Sequence, residues 1–339
     1  MMNITNLGIL RTLKNEMVGY FLNKTKKLYW EECRKFVYER GIDSKKICEV
    51  EEILNIPYMN HCEMALVMDI FKPILPENKE MPVIICIHGG GLVVEDRRYF
   101  RDYANILAGR GYLVFSLDYR LAPFFNSAEQ LDDICAGMDE VGKQLVNFDV
   151  DFTRIYMVAD SAGAFLAIYT AAMKKSEELQ NAIGNKPTRM VFRALGLYSG
   201  MFYTMLSDPI GFLLSDQFHG SKVVDESFLK YMNPENPEII RNLPPVFLTT
   251  SRGDFLNNYT LMYHQALKKA GMKSHLLYYG EKDLWHAFPT FDPYNKHSLD
   301  AIDRMLAWFE EQAGATKKEE AVEKEEVAEK EEAVEDAGK

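Results

Sequence analysis

The 339-residue sequence has no long uninterrupted apolar run, no basic stripe and no cysteine pair. Its first stretch, MMNITNLGILRTLKNEMVGYF, is interrupted by Arg11, Lys14 and Glu16 before a signal-peptide core or a membrane span could form. No membrane span is expected, and the cytoplasm is the default address. The five cysteines, Cys33, Cys48, Cys62, Cys86 and Cys135, are scattered and odd in number, with no C-x-x-C spacing. They read as reduced thiols, and neither a disulfide framework nor a structural zinc site is signalled. The net charge is -11, and the segment 317–339 holds five lysines and ten acidic residues, so -5 sits there and -6 on the body. The one short basic cluster, Lys24, Lys26 and Lys27, suits the wet face of a helix, which excludes nucleic acid as the expected partner.

What is present is a globular composition, 47% hydrophobic, 12% aromatic and 26% charged. Residues 1–45 carry apolar groups at helical spacing (Leu10, Leu13, Met17, Phe21, then Tyr29, Cys33, Phe36, Val37) and read as two amphipathic helices. From about 50 to 71 two alternating segments read as half-buried strands. Short, nearly continuous apolar runs follow at 83–87, 113–117, 155–158, 195–199, 246–250 and 275–279. Helical patterns near 98–110, 127–146, 162–176, 256–271 and 297–312 separate most of them. Such runs suit strands buried on both faces, so the pattern predicts an α/β protein, a doubly wound, mostly parallel sheet with helices on both sides.

Residues 46–200 and 241–316 form the two parts of that core. Between them, 201–240 is an insert too long for a plain connection and too apolar to lie free in water (Met201, Phe202, Tyr203, Met205, Ile210, Phe212, Leu213, Leu214, Phe218), and a cap or lid over the sheet is expected there. The end of the chain, 317–339, repeats EEAVEK, EEVAEK and EEAVED every six residues from Glu319 to Asp336. With no apolar stripe, it reads as disordered or as a solvated helix.

The chemistry-bearing residues lie in the core. Ser161 stands in VADSAGA, directly after an apolar strand and before a helical run, with the small Ala159 and Gly163 two residues to either side. That setting suits a nucleophile raised on a sharp strand-to-helix turn, although Asp160 or Ser161 could equally cap the helix. His88-Gly89-Gly90-Gly91 follows the strand at 83–87, and bare backbone there can bring N–H donors to a developing oxyanion. Gly90, Gly91 and the amide of Ala162 are the candidates. The run lacks the Gly-Lys-Ser/Thr ending of a phosphate loop. Of seven histidines, His286 alone combines a place beyond the last strand with a loop setting, KDLWHAF; a core histidine bonded to backbone is its plainer alternative. Asp254, in TTSRGDF, follows a strand between Ser161 and His286, and Asp283 is the reserve. The order Ser, Asp, His is the order of the α/β-hydrolase triad.

Four signatures, HGGG at 88–91, DYRLAP at 118–123, ADSAG at 159–163 in place of GDSAG, and the Asp254 and His286 pair, make residues 64–310 resemble the hormone-sensitive-lipase-like esterases of the α/β-hydrolase superfamily. The resemblance implies a helical cap over an acyl pocket, built by the N-terminal helices and the 201–240 insert. It implies that Asp118 and Arg120 are structural, as a buried ion pair. Ala159 and Ala164 each replace a glycine, and FFNSAEQ after Pro123 lacks the acidic and proline residues usual there.

The expected protein is a serine carboxylesterase that cleaves short- to medium-chain esters through an acyl-enzyme, with a small-molecule partner, no cofactor and no metal; a homodimer is compatible with the sequence. His88, Gly89, Leu92, Phe202, Phe212 and Phe288 are the candidate substrate-binding residues. The alternatives are a peptidase or amidase on the same fold, a non-catalytic ligand receptor, and a scaffold acting through the acidic tail.

Overall fold

The computed structural model describes residues 14, 16–18, 20, 24, 50–61, 64–75 and 79–315. The expected pair of N-terminal helices lies mostly outside these residues, as do the acidic tail and Cys33, Cys48 and Cys62. Residues 14, 16–18, 20 and 24 are helical.

Eight strands form one sheet in the order β1-β2-β4-β3-β5-β6-β7-β8. They are β1 (Val50–His61), β2 (Met64–Pro73), β3 (Met81–Ile87), β4 (Leu113–Leu117), β5 (Val150–Asp160), β6 (Ala194–Tyr198), β7 (Val246–Ser251) and β8 (Ser274–Tyr279). The β1–β2 and β2–β4 pairs are antiparallel, and every other pair is parallel.

The uninterrupted apolar runs have a direct cause, because successive side chains of a strand point to opposite faces. Val83, Ile85 and Ile87 of β3 and Ile155, Met157 and Ala159 of β5 face one apolar core. Ile84, Cys86, Tyr156 and Val158 face the other. Both faces are therefore dry. The first core is completed by helices α2 (Ser127–Gln144), α3 (Ser161–Met173) and α8 (Asn257–Lys269). The second is completed by α1 (Arg101–Gly109) and α10, the helical residues 296–315. Gly196 in β6 lets α10 lie close, since a Cβ there would meet Met305 Sδ at 2.3 Å. The run at 275–279 departs from the expectation of burial on both faces: β8 is an edge strand, paired only with β7, and its side chains are half exposed.

The insert 201–240 is helical, with α5 (Pro209–His219), α6 (Glu226–Leu229) and α7 (Pro237–Ile240); α4 (Glu177–Ile183) precedes β6. Asp208 starts α5 by accepting from the Gly211 amide at 3.0 Å, with Pro209 at the first helical position, where a missing N–H costs nothing. The other oxygen of Asp208 accepts from Tyr259 of α8, which ties this helix to the core. At the far end of α5, His219 is fully buried, with Nδ1 2.7 Å from Ser127 Oγ and Nε2 2.9 Å from Thr204 Oγ1. Lys14 reaches Asp216 of α5 at 3.1 Å.

Asp118, partly buried, and Arg120, buried, are both in ion pairs, but not with each other. Asp118 pairs with Arg97 at 2.8 Å, and Arg120 with Asp133 at 2.7 Å. The DYRLAP segment turns away from β4 between them, so side chains two residues apart are sent to different helical elements.

Candidate active site

Ser161 opens α3 with φ of +47°, a left-handed conformation that a non-glycine residue holds only under tertiary constraint. The constraint is visible on both sides. Its carbonyl accepts from the Met201 amide at 2.8 Å, and Gly163 lies so close to β3 that a Cβ there would meet the Ile87 carbonyl oxygen at 2.3 Å. The turn is not a side-chain cap: Asp160 makes no capping bond, and its carboxylate instead accepts from Thr290 Oγ1 at 2.5 Å. Burial raises the Asp160 carboxyl to about 6, against the opposing pull of that hydroxyl.

His286 Nδ1 lies 2.6 Å from Asp254 Oδ1, and Nε2 lies 2.8 Å from Ser161 Oγ. With a carboxylate facing Nδ1, that nitrogen carries the proton, and Nε2 is the acceptor that faces the serine hydroxyl. Burial alone would raise the Asp254 carboxyl. The bonds from His286, Thr250 Oγ1 at 2.7 Å and the Leu256 amide at 2.8 Å outweigh it and hold the group below its ordinary range. The helix-cap alternative for Asp254 is thus partly present, since one oxygen serves both Leu256 and His286. Asp283, the reserve, is exposed to solvent. The two loops meet through Gly253, where a Cβ would lie 2.3 Å from the Lys282 carbonyl oxygen and 2.4 Å from that of Leu284.

The glycine loop sits beside the serine. Gly90 and Gly91 have φ of +71° and +60°, and with Ser161 and His286 they line one cavity of about 550 Å³. Gly89 approaches Ser161 so closely that a Cβ would meet its Cβ at 2.9 Å. Ala162 follows the serine in the first turn of α3, where backbone N–H groups have no partner within the helix. The loop is pinned from behind. Tyr119 Oη reaches the carbonyls of His88 and Gly89 at 2.9 and 2.8 Å, and Gln130 Nε2 reaches that of Leu92 at 2.9 Å.

The six candidate substrate-binding residues lie outside the cavity wall. His88 is fully buried and stacked on Tyr119 with ring centroids 4.2 Å apart, and burial pushes its imidazole down to about 4. Gly89 and Leu92 lie behind the lining. Phe202 is stacked on Tyr263 in the core, Phe288 packs against Tyr279, and Phe212 is 67% exposed beside Lys14. The wall is built instead by neighbours one to three residues away, Met201, Ile210, Leu214 and Phe291, together with Val93, Glu95, Tyr99, Phe255 and Trp285. Helix phase decides this, because α5 turns Ile210, Leu214 and Phe218 inward and Phe212 outward. No local pattern marks the supporting residues Thr250, Thr290 and Gly253; Tyr119 alone carries a signal, as part of DYRLAP.

Among the described residues, no group of three or more His, Cys, Asp or Glu side chains is arranged to hold a metal ion, and no helix is long and apolar enough to cross a membrane.

A mostly parallel sheet with a serine, an acid and a histidine converging beyond its strand ends defines a protein of the α/β-hydrolase class. A family model described as alpha/beta hydrolase fold matches residues 84–290, and the chain belongs to that family. Among curated proteins it is similar to tuliposide A-converting enzyme 1, chloroplastic, of Tulipa gesneriana. The two are 24% identical over 258 residues, 69% of this chain and 63% of that enzyme. It is also similar to carboxylesterase NlhH of Mycobacterium tuberculosis, 27% identical over 252 residues, 70% of this chain and 75% of that protein. The chain thus spans just under two thirds of the tulip enzyme's length. Among solved structures, esterase B from Lactobacillus rhamnosis superposes with a TM-score of 0.78 at 20% identity, over 89% of this chain and 98% of that one, which shows a shared fold.

Proposed function

We propose that this chain is a serine carboxylesterase that cleaves short- to medium-chain esters through an acyl-enzyme. The observation that carries the reading is the continuous relay from Asp254 Oδ1 through His286 to Ser161 Oγ, at 2.6 and 2.8 Å, opening on an apolar cavity. In this reading Ser161 attacks the ester carbonyl while His286 Nε2 takes its proton, and Asp254 stabilises the imidazolium. The amides of Gly90, Gly91 and Ala162 face the oxyanion, each worth about 3 kcal/mol of barrier. His286 then returns the proton to the departing alcohol. Water repeats the sequence on the acyl-enzyme and releases the acid.

Similarity to proteins named as esterases supports the same reading, as does the apolar character of the wall. A cavity of about 550 Å³ falls in the range of small-molecule sites and suits an acyl chain of modest length. A cytoplasmic address belongs to the same proposal and rests on thiols that are free and buried, Cys86 and Cys135.

The test is hydrolysis of a short-chain nitrophenyl ester by the wild-type chain and by Ser161→Ala. The expected result is a loss of about 10⁴-fold or more in kcat. Equal rates in the two proteins would remove Ser161 from the chemistry.

A further inference from the structure

The apolar side chains of the cavity lining differ in how far water reaches them. Met201 and Phe218 are buried, and Ile210 and Leu214 are half-buried, whereas Phe255 is 72% and Trp285 74% exposed. The two exposed rings belong to the loops that carry the acid and the base: Phe255 follows Asp254, and Trp285 precedes His286. The Phe255 ring lies on the imidazole of His286, with centroids 4.3 Å apart and planes inclined by 38°.

Their backbones are fixed while their rings face water. Phe255 is gripped from both sides, since the Asp254 amide donates to the Ser251 carbonyl at 3.3 Å and the Leu256 amide to Asp254 Oδ1 at 2.8 Å. Trp285 stands between Leu284, whose carbonyl accepts from Ser251 Oγ at 2.5 Å, and the short helix α9 (Phe288–Phe291), whose first amide donates to the Trp285 carbonyl at 3.3 Å. Large apolar rings left in water beside a cavity are costly and mark a binding surface. Rings already in place bind another ring with little loss of freedom, and offset or edge-to-face contacts add to the plain burial of area. The reaction decides which half of an ester meets them. His286 Nε2 returns the proton to the departing alkoxide, so the alcohol half leaves along the imidazole, beside Phe255.

Resting on the esterase reading above, we propose that this site takes esters whose alcohol carries an aromatic ring, and that Phe255 and Trp285 select that ring. The aliphatic side chains of Met201, Ile210 and Leu214 then receive the acyl half. A saturated ring of similar size covers the two exposed faces but lacks the quadrupole that an aromatic partner presents to them.

The experiment compares 2-phenylethyl butyrate with 2-cyclohexylethyl butyrate, whose leaving alcohols are similarly hard to expel. A second pair, methyl 3-phenylpropanoate and methyl 3-cyclohexylpropanoate, moves the ring to the acyl side. The quantity read is the ratio of kcat/KM, aromatic over saturated, within one protein, so that changes in folded fraction or in triad geometry cancel. With the wild-type chain we expect a preference of about fivefold in the first pair and none in the second. The preference should shrink in Phe255→Leu and in Trp285→Leu and approach unity in the double variant. A ring that only shielded His286 from water would alter both rates alike and leave the ratio where it was. If the double variant does not fold, the wild-type chain is inhibited with the two product alcohols, and 2-phenylethanol should act at about fivefold lower concentration than the more hydrophobic 2-cyclohexylethanol. A ratio near unity in the first pair, an equal preference in both pairs, or a preference that survives the double substitution would overturn the inference and leave the esterase reading standing. Equal or reversed potency of the two alcohols would overturn it in the same way. Turnover of none of the esters would sink the esterase reading itself, and this inference with it.

Discussion

Gly253 and Leu284 are pressed together so tightly that the α-hydrogen of the glycine occupies space no side chain could enter: a methyl group there would come within 2.4 Å of the Leu284 carbonyl oxygen. This contact joins the loop that carries Asp254 to the loop that carries His286. Gly253→Ala should therefore push the two loops apart while leaving the sheet intact. A displacement on the order of 1 Å costs roughly 100-fold in rate. We expect kcat on a nitrophenyl ester to fall by about that factor with an unchanged far-ultraviolet circular dichroism spectrum. Full activity in the folded variant would show that the loop contact does not set the His286 position.

Asp254→Asn keeps the shape of the acid but places an amide opposite Nδ1, where it can favour the wrong tautomer of His286. The expected loss is about 10⁴-fold in kcat near neutral pH, with KM little changed. A loss confined to KM would mean that Asp254 shapes the cavity and does not orient the base.

His219 gives the insert a sensitivity to acid. Burial pushes its imidazole down to about 3, and the ring bridges Ser127 and Thr204 only while neutral at the nitrogen that accepts. Its folded value lies below the ordinary 6.5, so the unfolded chain binds the proton more readily. The contribution is intact above pH 6.5 and lost as the pH falls from 6.5 towards 3. At pH 5 the loss is about 2 kcal/mol. Urea unfolding at pH 7.5 and pH 5 should show His219→Gln losing less stability between the two conditions than wild type; equal losses would refute this assignment. His88, pushed down to about 4, adds an acid sensitivity common to both proteins.

Leu214 faces the cavity from α5, whereas Phe212 on the same helix faces outward. Leu214→Trp should shorten the longest acyl chain accepted in a series of nitrophenyl esters, and Phe212→Ala should leave the chain-length profile where it was. A shift with Phe212→Ala and none with Leu214→Trp would invert the orientation of the lid.

The difference between these two residues marks the border of what the sequence reveals. Strands, the serine turn and the glycine loop are written in local pattern, because backbone sterics and alternation act over a few residues. The pairing of His286 with Asp254 was readable from chain order. The cavity wall was not. Met201 lines it while Phe202 stacks on Tyr263, and Phe291 lines it while Phe288 packs against Tyr279. All four are large and apolar, and their roles are separated only by one residue of chain direction or one turn of helix, which tertiary packing fixes. Gly253 is equally silent, since an absent side chain announces nothing about the carbonyl oxygen that needs the room.

The left-handed backbone at Ser161 bears on how robust the protein can become. Any residue with a Cβ held at φ of +47° keeps the folded state short of its best attainable free energy, and glycine would relieve that tension. Ser161→Gly should accordingly yield a protein that is more stable by on the order of 1 kcal/mol, and so melts higher, while hydrolysing nothing. The reactive hydroxyl and maximal thermal endurance compete for the same bend, so selection for heat resistance alone would tend to erase the catalyst before it touched the sheet.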